Sequence, residues 1–357
     1  MIGNVCYLLP AGGYSGGANS VVQEVSGLQK MGINAKIAVD DKNYETFTNA
    51  YASLPDIASG VRSYGTREAM KKILADSDIA VVTVATSVPD IISAWNDVPE
   101  RKRPKLFYYI QDYEPLFFEK GSPDWLAAAQ SYEHNLIMKA FAKTDWICET
   151  VERCHGMRVS RVKASIDHGT FFPLLTKPKG GKLKIAAMIR PSTPRRAPRR
   201  TCRVVNKIVA EYGEGVGVTT FGCNREQLRD YGLNLAASVQ HLDRLTREQV
   251  AQVLRQTDIF LDLSDYQAFG RTGLEAMACG ATPVLPMFGG ASEYVRHREN
   301  GFLVDVRDEE EVFRVVREFA KSPSTTRRKM CIQAISTASE YTTRSACASI
   351  IDVLTCE

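Results

Sequence analysis

Short apolar runs alternate with amphipathic stretches along most of the chain. In the first half, the apolar runs predict strands over 4–10, 34–40, 79–86, 105–111 and 145–149. In the second half, they predict strands over 183–189, 216–221, 259–264, 281–286 and 302–306. Strands that alternate with helices in this way are typical of α/β domains with parallel sheets.

The stretches between the strands have helical spacing. Val21, Val22, Val25 and Leu28 fall on one face of a helix between the first two strands. A longer helix is predicted over 123–143, where Pro123 suits the first turn. Further helices are predicted over 201–212, 246–256, 271–279 and 309–321.

A polar segment rich in Pro and Gly, residues 174–181, separates the two series of strands and is the best candidate for a linker. A chain of 357 residues is also long for a single core. We therefore expect an N-terminal domain over 1–173 and a C-terminal domain over 182–340. Ligands of open α/β sheets bind at the carboxyl ends of the strands, so the loops that follow the strands are the places to look for chemistry.

The most informative loop lies within residues 262–280, DLSDYQAFGRTGLEAMACG. A predicted strand leads into a turn with Gly270 and Gly273, and a helix opens there with Glu275 in its first turn. The first turn of a helix offers backbone N–H groups and the positive end of the dipole to a phosphate. A carboxylate beside them can accept from two neighbouring sugar hydroxyls. The pattern suits a nucleotide sugar.

This segment resembles the donor-site signature of GT-B-fold retaining glycosyltransferases of the family 4 type. The resemblance rests on Phe269-Gly270, on LEAMA over 274–278, and on Gly289, Gly290 and Glu293 of a following GG-x-x-E pattern. It implies an α/β fold of two Rossmann-like domains facing across a cleft. It also implies that the last helix, within residues 341–357, packs back on the N-terminal domain.

The resemblance assigns the donor-binding residues. Gln267 stands where the family has an acidic residue that contacts the transferred sugar, so this chain departs from the family there. An amide both donates and accepts, which could suit a 6-deoxy sugar. The turn at Phe269 and Gly270 is expected to face the sugar. Arg271 is placed in the donor site, and N–H groups near Thr272 and Gly273 are expected to assist the diphosphate. Glu275 is expected to hold the nucleotide ribose.

Six arginines lie within residues 189–203, directly after a predicted strand. Guanidinium groups suit a diphosphate. The family clamps the donor diphosphate with an Arg after this strand and a basic residue about five positions later, which correspond to Arg190 and to Arg195 or Arg196. The other arginines are expected to form a solvated helix start. The alternative for the whole run is a patch for an anionic surface or for nucleic acid, but no aromatic residues interleave it.

Two loops of the first half are further candidates. The loop 11–18 is rich in glycine, but Tyr14 breaks the G-x-G-x-x-G pattern, and a tight structural turn is an equally good interpretation. The resemblance places Gly16 and Gly17 here, facing the donor. In the string Q-D-Y-E-P over 111–115, Asp112 could orient the acceptor hydroxyl or cap a backbone group. Together with R-P-S-T-P-R-R over 190–196, this string looks most like bacterial enzymes that use dTDP-L-rhamnose.

The expected function is transfer of a sugar, best L-rhamnose from dTDP-L-rhamnose, to a glycan or lipid-linked glycan acceptor in bacterial surface polysaccharide synthesis. No metal or cofactor is required. Three alternatives stay open: the same fold with GDP-mannose or a UDP-sugar, a non-catalytic nucleotide-sugar or polysaccharide-binding module, and an NAD-dependent oxidoreductase that uses Asp40 and Asp41.

Composition narrows the setting of the protein. A net charge of +4 does not call for nucleic acid as a partner. Nine cysteines show neither zinc nor disulfide spacing, and the N-terminus lacks the build of a signal peptide. The expectation is a cytoplasmic protein. Contact with the cytoplasmic face of the inner membrane, or with a larger multi-enzyme assembly, stays open.

Overall fold

The structure is a computed structural model that describes residues 2–13, 15–174 and 181–356. Tyr14 and residues 175–180 of the predicted linker lie outside the described residues. The chain divides into two compact units. Unit 1 comprises residues 1–165 and 342–357, and unit 2 comprises residues 166–341. Residues 166–173, which the sequence analysis assigns to the N-terminal domain, therefore belong to unit 2.

Unit 1 is built on a parallel sheet. Its strands are β1 (Val5–Leu8), β2 (Ala35–Asp40), β3 (Arg62–Tyr64), β4 (Ile79–Val82), β5 (Lys105–Ile110), β6 (Met138–Ala142) and β7 (Val159–Arg161). Its first helices are α1 (Gly16–Lys30), α2 (Asp41–Ala50), α3 (Pro55–Ala58), α4 (Arg67–Ala75), α5 (Val88–Asn96), α6 (Pro123–Gln130) and α7 (Asp145–His155). Short 3₁₀ turns cover Ala85–Ser87, Glu100–Lys102 and Glu114–Phe117.

The strands of unit 1 follow the order β3-β2-β1-β4-β5-β6-β7, and each neighbouring pair is parallel. The predicted apolar face of α1 is confirmed, because Val21, Val22, Val25 and Leu28 are all buried in the core. Gly27 on the same helix lets another helix come close, since a Cβ there would lie 2.5 Å from Cys347 Sγ.

Unit 2 repeats this architecture. Its strands are β8 (Leu183–Met188), β9 (Val216–Phe221), β10 (Gln240–His241), β11 (Ile259–Leu261), β12 (Thr282–Pro286) and β13 (Phe302–Val304). Its helices are α8 (Pro198–Tyr212), α9 (Arg225–Asp230), α10 (Arg247–Gln256), α11 (Arg271–Ala278), α12 (Glu309–Lys321) and α13 (Ser324–Ser339). Short 3₁₀ turns cover Pro194–Arg196, Gly213–Gly215 and Gly290–Glu293. The final helix of the chain, α14 (Thr343–Thr355), belongs to unit 1 and packs on α1.

The strands of unit 2 follow the order β10-β9-β8-β11-β12-β13, again with parallel neighbours. In both units the strand order reverses beside the first strand, between β1 and β4 and between β8 and β11. Ligands of open α/β sheets bind at the carboxyl ends of the strands at such a reversal. The predicted class of two parallel-sheet α/β domains is confirmed.

Two predicted elements are wrong. The helix expected over 123–143 ends at Gln130, and residues 138–142 form strand β6 instead. The sequence MKAFA has no strand preference of its own, and its conformation comes from parallel pairing with β5 on one side and β7 on the other. The strand expected over 145–149 is the start of α7, where the Thr144 hydroxyl caps the helix by accepting from the Ile147 N–H at 3.3 Å.

Among the described residues, no helix is both long enough and apolar enough to cross a membrane.

Candidate functional site

The loops that follow β8 and β11 leave the sheet of unit 2 side by side. The two strands pair in parallel, with Ile185 opposite Ile259 and Ala187 opposite Leu261. Parallel pairing brings their carboxyl ends to one edge. The arginine segment after β8 and the segment after β11 therefore meet at the reversal of strand order in unit 2.

Arg190 is the first arginine after β8, and its side chain is exposed. Its Nε donates to Met188 Sδ at 3.2 Å. Partial desolvation lowers the pKa of Arg190, and the positive charges of Arg196 and Arg195 add to this effect, whereas the Asp262 carboxylate opposes it. Three guanidinium groups and one carboxylate thus interact at this edge, and an added anion would relieve the repulsion among the arginines.

Arg195 and Arg196 lie in the 3₁₀ turn that precedes α8, and both side chains are half-buried. Ala197 ends this turn in the left-handed region, with φ of 47°, an unusual conformation for a residue with a Cβ. The Arg195 carbonyl accepts from the Asp265 N–H at 2.8 Å. The Arg195 guanidinium lies 5.9 Å from the centroid of the Tyr266 ring. The 3₁₀ turn with Arg195 therefore contacts the loop after β11 through both its backbone and a side chain.

Arg200 completes this connection. Its Nη1 donates to the Leu263 carbonyl at 2.9 Å, and Nη1 and Nη2 both donate to Asp265 Oδ1 at 2.9 Å. The side chain of Arg200 is only 15% exposed. The expectation of a solvated helix start is wrong for this residue, because it holds the carbonyl and carboxylate of a facing loop.

Arg199 and Arg203 also have protein partners. Arg199 donates to the Tyr231 carbonyl at 3.1 Å, and Arg203 forms an ion pair with Glu309 at the surface. Arg190 interacts electrostatically with Arg195, with Arg196 and with Asp262, which directly follows β11.

Gln267 is 5% exposed, and the nitrogen of its side-chain amide points back into the protein. Its Nε2 donates to Asp262 Oδ2 at 2.5 Å and to Ser264 Oγ at 3.2 Å. Both hydrogens of the amide nitrogen are therefore used inside unit 2. The expectation that Gln267 offers a ligand both a donor and an acceptor is corrected by this geometry.

The glycine pair after β12 holds the backbone of Gln267. The Gly290 N–H donates to the Gln267 carbonyl at 2.7 Å, and Gly289 forms a parallel bridge with Gln267. A Cβ at Gly289 would lie 2.0 Å from that carbonyl oxygen, and its φ is +101°. This contact explains the glycine at position 289, since a residue with a Cβ could not come this close to the Gln267 carbonyl.

The turn that precedes α11 is packed against Tyr294. The Tyr294 hydroxyl donates to the Gly270 carbonyl at 2.6 Å. A Cβ at Gly270 or at Gly273 would lie within 3.0 Å of that hydroxyl oxygen. The Phe269 ring packs edge-on against Tyr294, with centroids 5.3 Å apart, and also lies near Tyr341. Phe269, Gly270 and Gly273 therefore stabilise the packing of this turn against Tyr294, independently of any contact with a ligand.

The N–H groups at the start of α11 differ in their availability. The Gly273 N–H donates to the Gly270 carbonyl at 2.9 Å, so it is not the unpaired donor that the sequence analysis expects. The half-buried Thr272 has no such bond recorded for its N–H among the residues that the structure describes. Since α11 begins without a side-chain cap, its first turn can still receive an anion at Thr272.

Glu275 lies one turn further along α11 and is buried. Its Oε1 accepts from Arg271 Nε at 3.0 Å, an i,i+4 ion pair whose side chains are 13% and 9% exposed. Two of the predicted donor-site residues on this helix, Arg271 and Glu275, therefore form an ion pair. The pair fixes the direction of the carboxylate, which is the condition for recognising a diol.

In unit 1, Gly16 and Gly17 open α1 at the carboxyl end of β1. The Ser15 hydroxyl caps this helix by accepting from the Ala18 N–H at 3.0 Å. A Cβ at Gly16 would meet nothing within 4 Å, whereas one at Gly17 would lie 2.8 Å from Gln111 Oε1. The structure thus brings the loop after β1 next to the loop after β5. Gly16 has no packing reason to be glycine.

Asp112 follows β5 and is half-buried, with its Oδ1 accepting from the Tyr113 N–H at 2.9 Å. The nearby Glu114 is buried, and both its oxygens accept from the Ala85 N–H, at 3.1 and 3.2 Å. Glu114 therefore closes a turn after β4, and Asp112 is the more accessible carboxylate of the Q-D-Y-E-P string.

The sequence analysis missed Asp262 as a site residue. Asp262 directly follows β11 and takes bonds from both Ser264 and Gln267. The available signal was a carboxylate at the end of a buried strand in an α/β sheet. No local rule relates that carboxylate to an amide five residues later in a loop, so its role depends on the folded loop.

Part of unit 2, which includes the segment after β11 but not the arginine segment after β8, matches a known family. Residues 220–337 match the family model described as glycosyl transferases group 1. The O-antigen biosynthesis protein RfbC of Myxococcus xanthus is 28% identical over 198 residues, which are 56% of this chain and 15% of that protein. A D-inositol 3-phosphate glycosyltransferase of Mycobacteroides abscessus is 39% identical over 72 residues, 20% of this chain and 16% of that protein. The chain thus spans less than a fifth of either relative.

Solved structures resemble the whole chain. Anabaena HepE in complex with UDP-glucose has a TM-score of 0.78 at 14% identity, covering 99% of both chains. The TarM crystal structure has a TM-score of 0.78 at 11% identity, covering 100% of this chain and 99% of that one. At these identities the likeness shows the fold, and the predicted GT-B fold is confirmed.

Proposed function

We propose that this chain, whose residues 220–337 match the glycosyl transferases group 1 family, is a retaining glycosyltransferase that uses a nucleotide-diphosphate sugar. The observation that carries the proposal is the meeting of two loops at the strand reversal of unit 2. Arg190, Arg195 and Arg196 come from one loop, and Gln267 and Glu275 follow the other strand. Cations for a diphosphate thus lie beside polar groups for sugars.

The residues of this edge have distinct proposed roles. Arg190 and Arg195 or Arg196 stabilise the diphosphate as its negative charge grows on departure, and the Thr272 N–H assists. The mutual repulsion of these arginines supports an anionic ligand. Glu275, held by Arg271, accepts from hydroxyls of the nucleotide ribose. Catalysis of this kind consists of positioning and electrostatic stabilisation.

Retention of the anomeric configuration follows in this proposal from attack on the face that the diphosphate leaves. The departing diphosphate helps to take the proton of the acceptor hydroxyl, so no protein nucleophile is required. In unit 1 we assign Asp112 to orienting that hydroxyl, because it is a half-buried carboxylate at the carboxyl end of β5, where ligands of such sheets bind.

We propose dTDP-L-rhamnose as the donor and a glycan or lipid-linked glycan of the bacterial surface as the acceptor. The similarity to a protein named for O-antigen biosynthesis supports this class of acceptor. A UDP-sugar is the second candidate, because a structure of the same fold, HepE, contains UDP-glucose. The chemistry of Glu275 also bears on the choice, since UDP carries two neighbouring ribose hydroxyls and dTDP carries one.

A thermal-shift panel with dTDP-L-rhamnose, GDP-mannose and UDP-glucose tests the donor. The true donor is expected to raise the melting temperature, because a ligand that binds the folded state stabilises it. Release of nucleoside diphosphate on addition of a glycan acceptor then tests catalysis. Binding without release, across a panel of acceptors, would favour a non-catalytic binding module. Stabilisation by NAD instead of any nucleotide sugar would reject the proposal.

A further inference from the structure

The Gln267 amide has only one group left for a ligand. Its Nε2 donates to Asp262 Oδ2 and to Ser264 Oγ, which uses both of its hydrogens. Within the part of the chain that the structure describes, no recorded bond reaches Gln267 Oε1. This oxygen is not fully buried, so it is open to a ligand. The carbonyl oxygen is therefore the face that Gln267 presents.

Asp262 determines this orientation. If the amide were reversed, Oε1 would lie against the Asp262 carboxylate in place of the 2.5 Å hydrogen bond. The carboxylate cannot turn away freely, because its Oδ1 accepts from the Ser264 N–H at 3.1 Å and from Ser264 Oγ at 2.5 Å. The backbone of Gln267 is fixed in turn by Gly289 and Gly290.

We infer that Asp262 is a positioning residue for the donor sugar, because it holds the Gln267 amide with its carbonyl oxygen toward the ligand as a neutral hydrogen-bond acceptor. The inference rests on the proposed function, in which Gln267 contacts the transferred sugar. Such an acceptor selects a sugar that presents a hydroxyl at this point. The negative charge of the Asp262 carboxylate lies on the side of the amide that faces away from the ligand.

Three variants at these two positions test the inference. In Asp262→Asn, the new amide nitrogen faces Gln267, and we expect the Gln267 amide to reverse and present its N–H₂ group. In Gln267→Glu, two carboxylates lie side by side, which is unfavourable when both are charged. In the double variant D262N/Q267E, the amide introduced at position 262 accepts from Ser264 with its oxygen. Its nitrogen donates to the carboxylate introduced at position 267, so an acceptor again faces the ligand.

The expected kinetics follow this pattern. Each single variant is expected to lower sugar transfer by about tenfold, the effect of one lost hydrogen bond, and the double variant to regain most of that loss. The Kd of the nucleoside diphosphate, which lacks the transferred sugar, should stay unchanged in all three. Asp258→Asn is the matched control: Asp258 is also half-buried but lies at the other end of β11, where it accepts from the Lys184 N–H at 2.9 Å.

Two measurements do not depend on catalysis. The Gln267 side-chain amide resonance of ¹⁵N-labelled protein is expected to move in Asp262→Asn and to stay in Asp258→Asn. The stability of Gln267→Glu is expected to fall as the pH rises above about 4.3, because the paired carboxyl has a raised pKa in the folded state. The double variant should not show this fall.

These outcomes separate the two claims. If the wild-type protein transfers no sugar from any donor, the proposed function fails, and the resonance and stability measurements still decide whether Asp262 orients the amide. An unmoved Gln267 resonance in Asp262→Asn, or a Gln267→Glu variant with the wild-type pH dependence, would overturn the positioning role. Equal loss of nucleoside diphosphate affinity and of transfer would also overturn it, because that result indicates general damage.

Discussion

The two units share one architecture but treat the carboxyl ends of their strands differently. In unit 1, the polar groups at this edge satisfy one another. The Ser15 hydroxyl closes the first turn of α1 on the Ala18 N–H, and the buried Glu114 takes the Ala85 N–H with both oxygens. Among the described residues at this edge, Asp112 is half-buried, and a Cβ at Gly16 would meet nothing within 4 Å.

In unit 2, the same edge presents uncapped helix N-termini and an exposed arginine, both of which carry positive charge. The helices α8 and α11 both begin after a left-handed residue, Ala197 and Gly270, and neither has a side-chain cap. Arg190 is exposed beside them. An edge whose helix starts are capped suits neutral ligands, whereas uncapped helix starts beside an exposed cation suit an anion. The same fold can therefore bind either class of ligand.

The largest effect is expected from removing Arg190, the exposed arginine that follows β8 in unit 2. Arg190→Ala is expected to lower the rate of sugar transfer by about two to three powers of ten, because the charge on the leaving diphosphate loses a preorganised partner. The fold should persist, since the guanidinium bonds only to Met188 Sδ within the described residues. Single-turnover kinetics with saturating donor measure the effect.

Arg203→Ala is the matched control for Arg190→Ala. Arg203 belongs to the same arginine segment but pairs with Glu309 at the surface. Loss of such a pair costs about 0–1 kcal/mol of stability and should leave transfer unchanged. Equal rates for Arg190→Ala and Arg203→Ala would remove Arg190 from the diphosphate site.

The second largest effect concerns the support of Gln267. Gly289→Ala is expected to reduce the free energy of unfolding by about 3 kcal/mol, because the added Cβ meets the Gln267 carbonyl and φ is unfavourable for alanine. Gly217→Ala, where a Cβ meets nothing within 4 Å, is expected to change it by less than about 0.5 kcal/mol. Chemical denaturation measures both, and similar stabilities would show that the backbone contact is not tight.

Glu275→Gln sharpens the assignment of the nucleotide. The variant loses the ion pair with Arg271 and a charged acceptor for the ribose, so the Kd of UDP is expected to rise by about tenfold. The Kd of dTDP should rise less, because its sugar lacks one of the two hydroxyls. Isothermal titration calorimetry with both nucleotides measures the difference. Unchanged affinity for both would reject the ribose role of Glu275.

The smallest expected effects are those of the glycines of unit 1. Gly16→Ala should leave stability unchanged or raise it by about 0.4–1 kcal/mol, since the new Cβ meets nothing and the unfolded chain loses entropy. Gly17→Ala displaces only the flexible end of Gln111. If these glycines face the donor, both variants lose transfer while the fold stays intact. Full activity in both would leave a structural turn as their explanation.

The order of apolar and polar residues was enough to predict the class of the fold and to single out the loops that we propose to bind the donor. The period of apolar residues predicts which segments are strands and which are helices. Strands that alternate with helices in turn predict parallel sheets. The turn at Gly270 and the cluster that begins with Arg190 could also be predicted from the sequence. The backbone flexibility of glycine and the positive charge of arginine belong to the residue type itself. These features need no distant partner to be recognised.

Features that depend on residues far apart in the sequence became visible in the folded structure alone. Residues 138–142 are a strand because β5 and β7 pair with them, although their composition allows a helix. The Gln267 side-chain nitrogen donates to Asp262 and to Ser264, and Gly289 must be glycine because the Gln267 backbone lies against it. Contacts of this kind depend on the positions of atoms in the folded loops, and the spacing of residues along the chain does not predict them.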